Sequence, residues 1–190
     1  MMWPIINGDK TTGVTIMYLS EGMDAGDIIL QTKVDINERM HGELFEDLSH
    51  IGADLLLKAI NEIELGTAKR IPQGEKYTLA PMITKEMCKI DWQNKTAEEI
   101  KNFVRGLNPI PCAYTILNNK KYKIYNVEVE SVKQKVKEAG VIIEVTKDSV
   151  FIQAKEGIVK ILELQAENSK RMKITEFLKG NKLNILDKFE

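Results

Sequence analysis

Leu44, Leu48, Ile51, Leu55, Ala59 and Ile63 recur at spacings of three and four, which predicts one long amphipathic helix over about 42–65. Gly66 ends it. A helix with such a stripe must bury it against a second layer. What precedes it is short. Residues 13–19 are β-branched and apolar and read as a strand, and 28–33 read as another. Between them lies a polar, glycine-containing loop, so the pair is expected to form an antiparallel hairpin with carboxylates at its tip. A helix-like or loop piece ending in the turn signal Asn7-Gly8-Asp9 opens the chain. One hairpin offers little surface to a helix of this length, so this segment reads as part of a domain rather than a whole one.

Residues 67–92 have no clear period and are punctuated by Pro72, Gly74 and Pro81, which suggests an extended linker lying on the surface. Thr96-Ala-Glu-Glu99 is a capping box that opens a helix with Ile100, Val104 and Leu107 inward, closed by Asn108-Pro109. Strand-like runs follow at 113–117, 122–130, 141–145, 149–154 and 158–164, separated by turn signals. Five short strands suggest a small β-barrel, for which an OB-like barrel is one candidate. A terminal turn of helix is expected around 175–179, ended by Gly180. The expected class is α+β, with units at 1–69, 70–92 and 93–190.

An apolar content of 43% and a charged content of 29% argue against disorder. No apolar stretch approaches the roughly 18–20 residues that span a bilayer, and the first residues lack the layout of a signal peptide. Cys88 and Cys112 form neither a CxxC motif nor a disulfide ladder, and read as reduced thiols in a cytoplasmic protein. The net charge of −1 hides a split, −6 over residues 1–92 and +5 over 93–190. The basic half suits a polyanionic partner, although a lysine-rich solvated surface explains the same numbers.

Glu21, Asp24 and Asp27 lie three apart in the hairpin loop. They fail the alternating oxygen pattern of a calcium loop. Two readings stay open: aspartates that cap local turns, or a carboxylate that orients an imidazole at the end of a sheet. His41 and His50 do not supply that imidazole together, since nine helical steps put them on nearly opposite faces, about 180° apart. There is no GxSxG, P-loop or GxGxxG.

Several stretches carry a family likeness. Gly8-Asp-Lys-Thr-Thr-Gly-Val-Thr-Ile-Met17 and Glu21-Gly-Met-Asp-Ala-Gly-Asp27 closely resemble the methionyl-tRNA formyltransferases. Gly42-Glu-Leu-Phe-Glu-Asp-Leu48 matches the start of the family's helix. Ala80-Pro-Met-Ile-Thr-Lys-Glu86 and Lys89-Ile-Asp-Trp92 resemble its interdomain linker. Arg105-Gly-Leu-Asn-Pro-Ile-Pro-Cys-Ala-Tyr114 resembles the head of its C-terminal domain, and Ser169-Lys-Arg-Met172 with Phe177-Leu-Lys-Gly-Asn181 its closing motif. The likeness covers essentially the whole chain, in order.

The resemblance implies a remnant of a Rossmann-like formyltransferase domain (hairpin plus helix) followed by an OB-like, tRNA-binding C-terminal domain. It implies transfer of a formyl group from the co-substrate 10-formyltetrahydrofolate to the amino group of methionyl initiator tRNA, without a metal, by a cytoplasmic and monomeric protein with no membrane partner. By motif position Asp24 is the catalytic carboxylate, with Gly22, Gly26 and Asp27 supporting its loop. Lys85, Arg105, Lys121, Lys123, Lys170 and Arg171 are tRNA-binding candidates. The family's N-x-H-G-S-L-L-P motif, which carries the catalytic histidine and asparagine, is expected about a dozen residues before Met1 and is not in this sequence. Met82 stands where the family usually has lysine, Met87-Cys88 replaces an acidic-small pair, and Met40 replaces a threonine cap. The chain is therefore expected to be inactive alone. The alternatives are a non-catalytic tRNA-binding module or another folate-dependent formyltransferase.

Overall fold

The computed structural model describes residues 1–74, 77–130 and 137–190. Residues 75 and 76 of the expected linker, and 131–136 of the expected C-terminal unit, lie outside the described residues. The first part contains α1 (Met2–Ile6), β1 (Thr11–Met17), β2 (Ile28–Asp35) and α2 (His41–Glu64). Strands β1 and β2 pair antiparallel from Thr11 opposite Asp35 to Met17 opposite Ile28, with a bulge at the loop end. One face of the hairpin, through Val14 and Val34, packs on Ile5, Ile36, Leu44 and Leu48.

The expected stripe on α2 is only partly covered. Leu44, Leu48 and Ala59 are buried, Ile51 and Leu55 are half-buried, and Ile63 is exposed. Length explains this: a 24-residue helix runs about 36 Å, and an eight-residue strand about 26 Å. At the start of α2 the Glu43 carboxylate accepts the Met40 N–H at 2.8 Å, so half of a capping box survives the loss of a capping hydroxyl.

The second part starts with α3 (Ala97–Leu107), capped as its sequence indicates: Thr96 Oγ1 accepts the Glu99 N–H at 3.2 Å and the Glu99 carboxylate accepts the Thr96 N–H at 2.7 Å. Ile100, Val104 and Leu107 are buried. Strands β3 (Ala113–Leu117), β4 (Lys120–Glu130), β5 (Ile142–Val145), β6 (Val150–Gln153) and β7 (Ile158–Ala166) form an antiparallel sheet in the order β3-β4-β7-β6-β5. A two-residue strand, β8 (Met172–Lys173), adds to β7 and leads into α4 (Ile174–Gly180). It is too short for any sequence period to mark. The last residues bond to both sheet edges. Ile116 of β3 exchanges backbone hydrogen bonds with Glu190, while Ile142 of β5 does so with Leu186 and Asp187.

The end of the expected linker does not lie on the surface. Cys88, Ile90 and Trp92 are buried in the main core; Trp92 stacks on Phe189 and its indole N–H donates to Thr115 Oγ1 at 2.9 Å. Aromatic burial outweighs the absence of a regular period here.

The two parts touch closely. Helix α1 lies against α3 at Gly106, where a Cβ would come within 2.6 Å of Ile6 Cγ1, so a larger residue would push the helices apart. Lys101 pairs with Glu38 at 2.7 Å, Gly42 N–H donates to the Asn108 carbonyl at 3.0 Å, and the Trp3 indole donates to the Pro81 carbonyl at 2.7 Å.

Candidate active-site loop and basic face

The β1–β2 loop is held from both ends. Tyr18 N–H donates to the Asp27 carbonyl at 2.9 Å, bringing the strands together. Gly26 sits directly over Tyr18, and any Cβ there would lie 1.7 Å from the Tyr18 carbonyl oxygen. No side chain fits. A Cβ added at Gly22 would meet the Ala25 methyl at 3.1 Å. Asp24 turns the chain with a left-handed φ of 53°, which aspartate tolerates better than most residues. Its carboxylate is exposed and has no hydrogen-bond or ion-pair partner among the described residues.

Residues that follow α2 complete the clamp. Ile71 exchanges both backbone hydrogen bonds with Ile28. The Gln73 amide nitrogen donates to the Asp24 carbonyl at 2.9 Å and the Gly26 carbonyl at 2.8 Å. Arg70 pairs with Asp27 at 3.4 Å and stacks on the Tyr18 ring at 4.0 Å. Gln73 and Arg70 escaped the sequence reading; both come from a stretch with no period, more than forty residues from the loop. The loop encloses an open concavity of about 390 Å³ lined by residues 17–26 alone. Neither histidine is in it. His41 is half-buried at the start of α2 with Nδ1 unpartnered, and burial lowers its pKa; His50 is exposed.

The basic candidates separate into two groups. Lys121 and Lys123 project from the outer face of β4, since the alternate residues Tyr122 and Ile124 are buried. Lys121 stacks over the Tyr114 ring at 3.6 Å. Tyr125 is buried where a bulge interrupts the alternation of β4; it donates its hydroxyl to Gln165 at 3.0 Å and has the Arg171 guanidinium 4.2 Å above its ring. Glu163 receives Arg171 through two bonds of 2.8 and 2.6 Å, which raises the arginine's pKa further. Lys123 borders a shallow concavity with Gln165 and Asn168, and Lys170 is exposed just beyond. Tyr114 and three cations therefore lie on one side of the sheet, with Tyr125 buried beneath Arg171. Period two does not mark Tyr125, because the bulge buries it together with its neighbour Ile124.

Lys85 is exposed ahead of a short 3-10 turn, Glu86–Cys88. Arg105 stands apart from the others. It is only 8% exposed and donates to the Asn37 carbonyl, the Arg39 carbonyl (3.1 Å) and Asn102 Oδ1 (2.9 Å). Its guanidinium ties the two parts of the chain rather than facing solvent.

Residues 82–182 match the family model described as formyl transferase, C-terminal domain, and residues 1–60 match the model described as formyl transferase. The chain belongs to the formyl transferase family. It is homologous to the methionyl-tRNA formyltransferases of Clostridioides difficile (42% identity over 94% of this chain) and Clostridium beijerinckii (43% over 95%). It spans 58% of the length of each. Among solved structures, HypX from Aquifex aeolicus in complex with tetrahydrofolic acid shares the fold, with a TM-score of 0.66 and 22% identity over 97% of this chain and 35% of that one. No described helix is long and apolar enough to cross a membrane.

Proposed function

We propose that this chain is the C-terminal part of a cytoplasmic methionyl-tRNA formyltransferase, presenting a catalytic carboxylate and a tRNA-binding face. Residues 1–69 then belong to the catalytic domain, 70–92 link, and 93–190 form an OB-like barrel. The hydrogen bonds of residues 186–190 to both β3 and β5 support a closed barrel. The observation that carries the catalytic reading is the clamped but unpaired Asp24 carboxylate. Its backbone is fixed while its charge is left free, as a carboxylate that orients an imidazole requires. Gly22, Gly26 and Asp27 hold the loop.

In the reaction, the methionyl amine attacks the formyl carbon of 10-formyltetrahydrofolate. The bond from that carbon to the folate nitrogen breaks, the amine proton passes to the imidazole, and tetrahydrofolate leaves with a proton on its nitrogen. Asp24 orients and charge-stabilises that imidazole. The imidazole belongs to the N-x-H-G-S-L-L-P motif, so these 190 residues alone are expected to transfer no formyl group.

Lys121, Lys123 and Arg171 would take tRNA phosphates beside the tyrosines, flanked by Lys170 and, from the linker, Lys85. Charge positions the tRNA, and the partly exposed Tyr114 ring offers a stacking surface. Arg105 is committed elsewhere. Purified chain should bind tRNA with an affinity that falls between low and moderate salt, and Lys123→Ala should reduce the salt slope by about one. Salt-independent binding would count against the tRNA face, and formyl transfer by the isolated chain against the division of labour. A non-catalytic tRNA-binding module is the second reading, favoured by a basic face that, Lys85 apart, lies within 93–190. Identity of 42% to a tRNA enzyme, with the +5 charge of 93–190, supports tRNA over another formyl acceptor.

A further inference from the structure

The loop that carries Asp24 is acidic, since Glu21, Asp24 and Asp27 share it. A phosphate backbone approaching that loop meets like charge, which works against binding. Among the described residues, one cation touches the loop. Arg70 lies 3.4 Å from the Asp27 carboxylate and 4.0 Å over the Tyr18 ring. The ring contact restrains the guanidinium. The ion pair engages it weakly: 3.4 Å is long beside the roughly 2.7–2.9 Å of a charge-assisted bond, and the Arg70 side chain is 65% exposed. A guanidinium carries five N–H donors in a fixed fork, and among the described residues only the bond to Asp27 uses them. Arg105 differs, with its donors committed to carbonyls. Arg70 is oriented and still open to a ligand.

Its place decides which anion it meets. Asp27 is three positions from Asp24, so at most about 11 Å of chain separates them. Gln73, from the same segment as Arg70, holds the Asp24 carbonyl at 2.9 Å. In the proposed reaction the methionyl amine is delivered beside Asp24. The phosphodiester nearest that amine lies one ester and one ribose away, at the 3′ end of the tRNA. An arginine fork matches the paired oxygens of a phosphate, and a cation here offsets the repulsion of the three carboxylates. We infer that Arg70 binds this terminal phosphodiester and so positions the acceptor end over the Asp24 loop. The inference rests on the proposed function. Lys121, Lys123 and Arg171 then hold the body of the tRNA, and Arg70 its end.

The test compares binding of two uncharged initiator tRNAs to the purified chain, one intact and one with its single-stranded 3′ end removed. Arg70→Gln should weaken binding of the intact tRNA about tenfold at low salt and reduce its salt slope by about one. The shortened tRNA should bind Arg70→Gln and the native chain equally. Lys123→Ala should weaken both tRNAs alike, which separates a contact to the body from one to the end. Arg70→Lys keeps a charge without the fork and should recover part of the loss. Lys69 is exposed and has no contact with the loop among the described residues, so Lys69→Gln should weaken intact tRNA by less than about twofold. Equal losses from the two substitutions would make Arg70 part of a general field and overturn the inference. So would equal weakening of both tRNAs by Arg70→Gln. Amide exchange of residues 20–27 in the free protein guards against a merely structural role: Arg70→Gln should change it by less than about threefold, and acceleration as large as that of Gln73→Ala would make Arg70 a strut of the loop and sink the proposal. A chain that binds neither tRNA overturns this inference together with the tRNA reading. Binding of intact tRNA that is indifferent to Arg70 overturns the inference alone.

Discussion

The side-chain amide of Gln73 donates to the backbone carbonyl of Asp24 at 2.9 Å, across forty-nine positions of sequence. A second bond from the same nitrogen reaches Gly26 at 2.8 Å. The segment leaving α2 thus sets the conformation of the loop that carries the candidate catalytic carboxylate. It does so without touching that carboxylate.

Replacing Gln73 should loosen this loop more than it destabilises the fold. Each neutral bond contributes about 1 kcal/mol, so Gln73→Ala should speed amide exchange of residues 20–27 by roughly tenfold or more. Gln73→Glu should be worse than alanine, because a carboxylate offers no donor and repels both carbonyls. Unchanged exchange in either variant would remove Gln73 from its positioning role.

Arg105 should matter for stability rather than for tRNA. Arg105→Leu strips the Asn37 and Arg39 carbonyls of a charged donor and should cost about 2–4 kcal/mol, read from the urea midpoint. Affinity for tRNA at fixed salt should stay the same. A large loss of affinity in a folded Arg105→Leu protein would return this residue to the phosphate contacts.

His41 should make the protein less stable in mild acid. Burial, and then the positive N-terminus, lower its pKa below 6.5, so the unfolded chain binds the proton more readily. Stability is full above the unfolded pKa, declines as pH falls below about 6.5, and levels off beneath the folded pKa. His41→Phe should flatten that part of a stability-against-pH curve. A curve that keeps its slope in the variant places the acid sensitivity elsewhere.

Neither native thiol should be reactive. Burial pushes Cys112 up to about 11 and raises Cys88 as well, so both are thiols at pH 8. A disulfide reagent should titrate no thiol in native protein and two in guanidinium. Fast labelling of one native cysteine would show that its part of the core opens.

Much of the site was legible where it depends on local chemistry. The hairpin, its acidic tip and the capping box at Thr96 follow from β-branching, glycine-rich turns and the Thr–Glu spacing. Asp24 is a candidate through its place in the motif that resembles the family's. What escaped were the residues that act across distance. Arg70 and Gln73 sit in a stretch without periodicity, and Tyr114 looks like an ordinary strand aromatic until β3 and β4 are paired. Arg105 carries a charge that suggests solvent, and only the carbonyls of Asn37 and Arg39, in the connection from β2 to α2, turn it inward.

Sequence by itself determined most of the element order, the α+β class and the family likeness, because those rest on periodicity, turn residues and short motifs. Tertiary structure alone decided how much of the α2 stripe is covered, since Leu44 and Ile63 share the helical spacing while Leu44 is buried and Ile63 is exposed. It also decided that 88–92 belongs to the core, because Trp92 needs Phe189 and Thr115, residues far along the chain. Local pattern states what a residue could bury, and the packing partner settles whether it does.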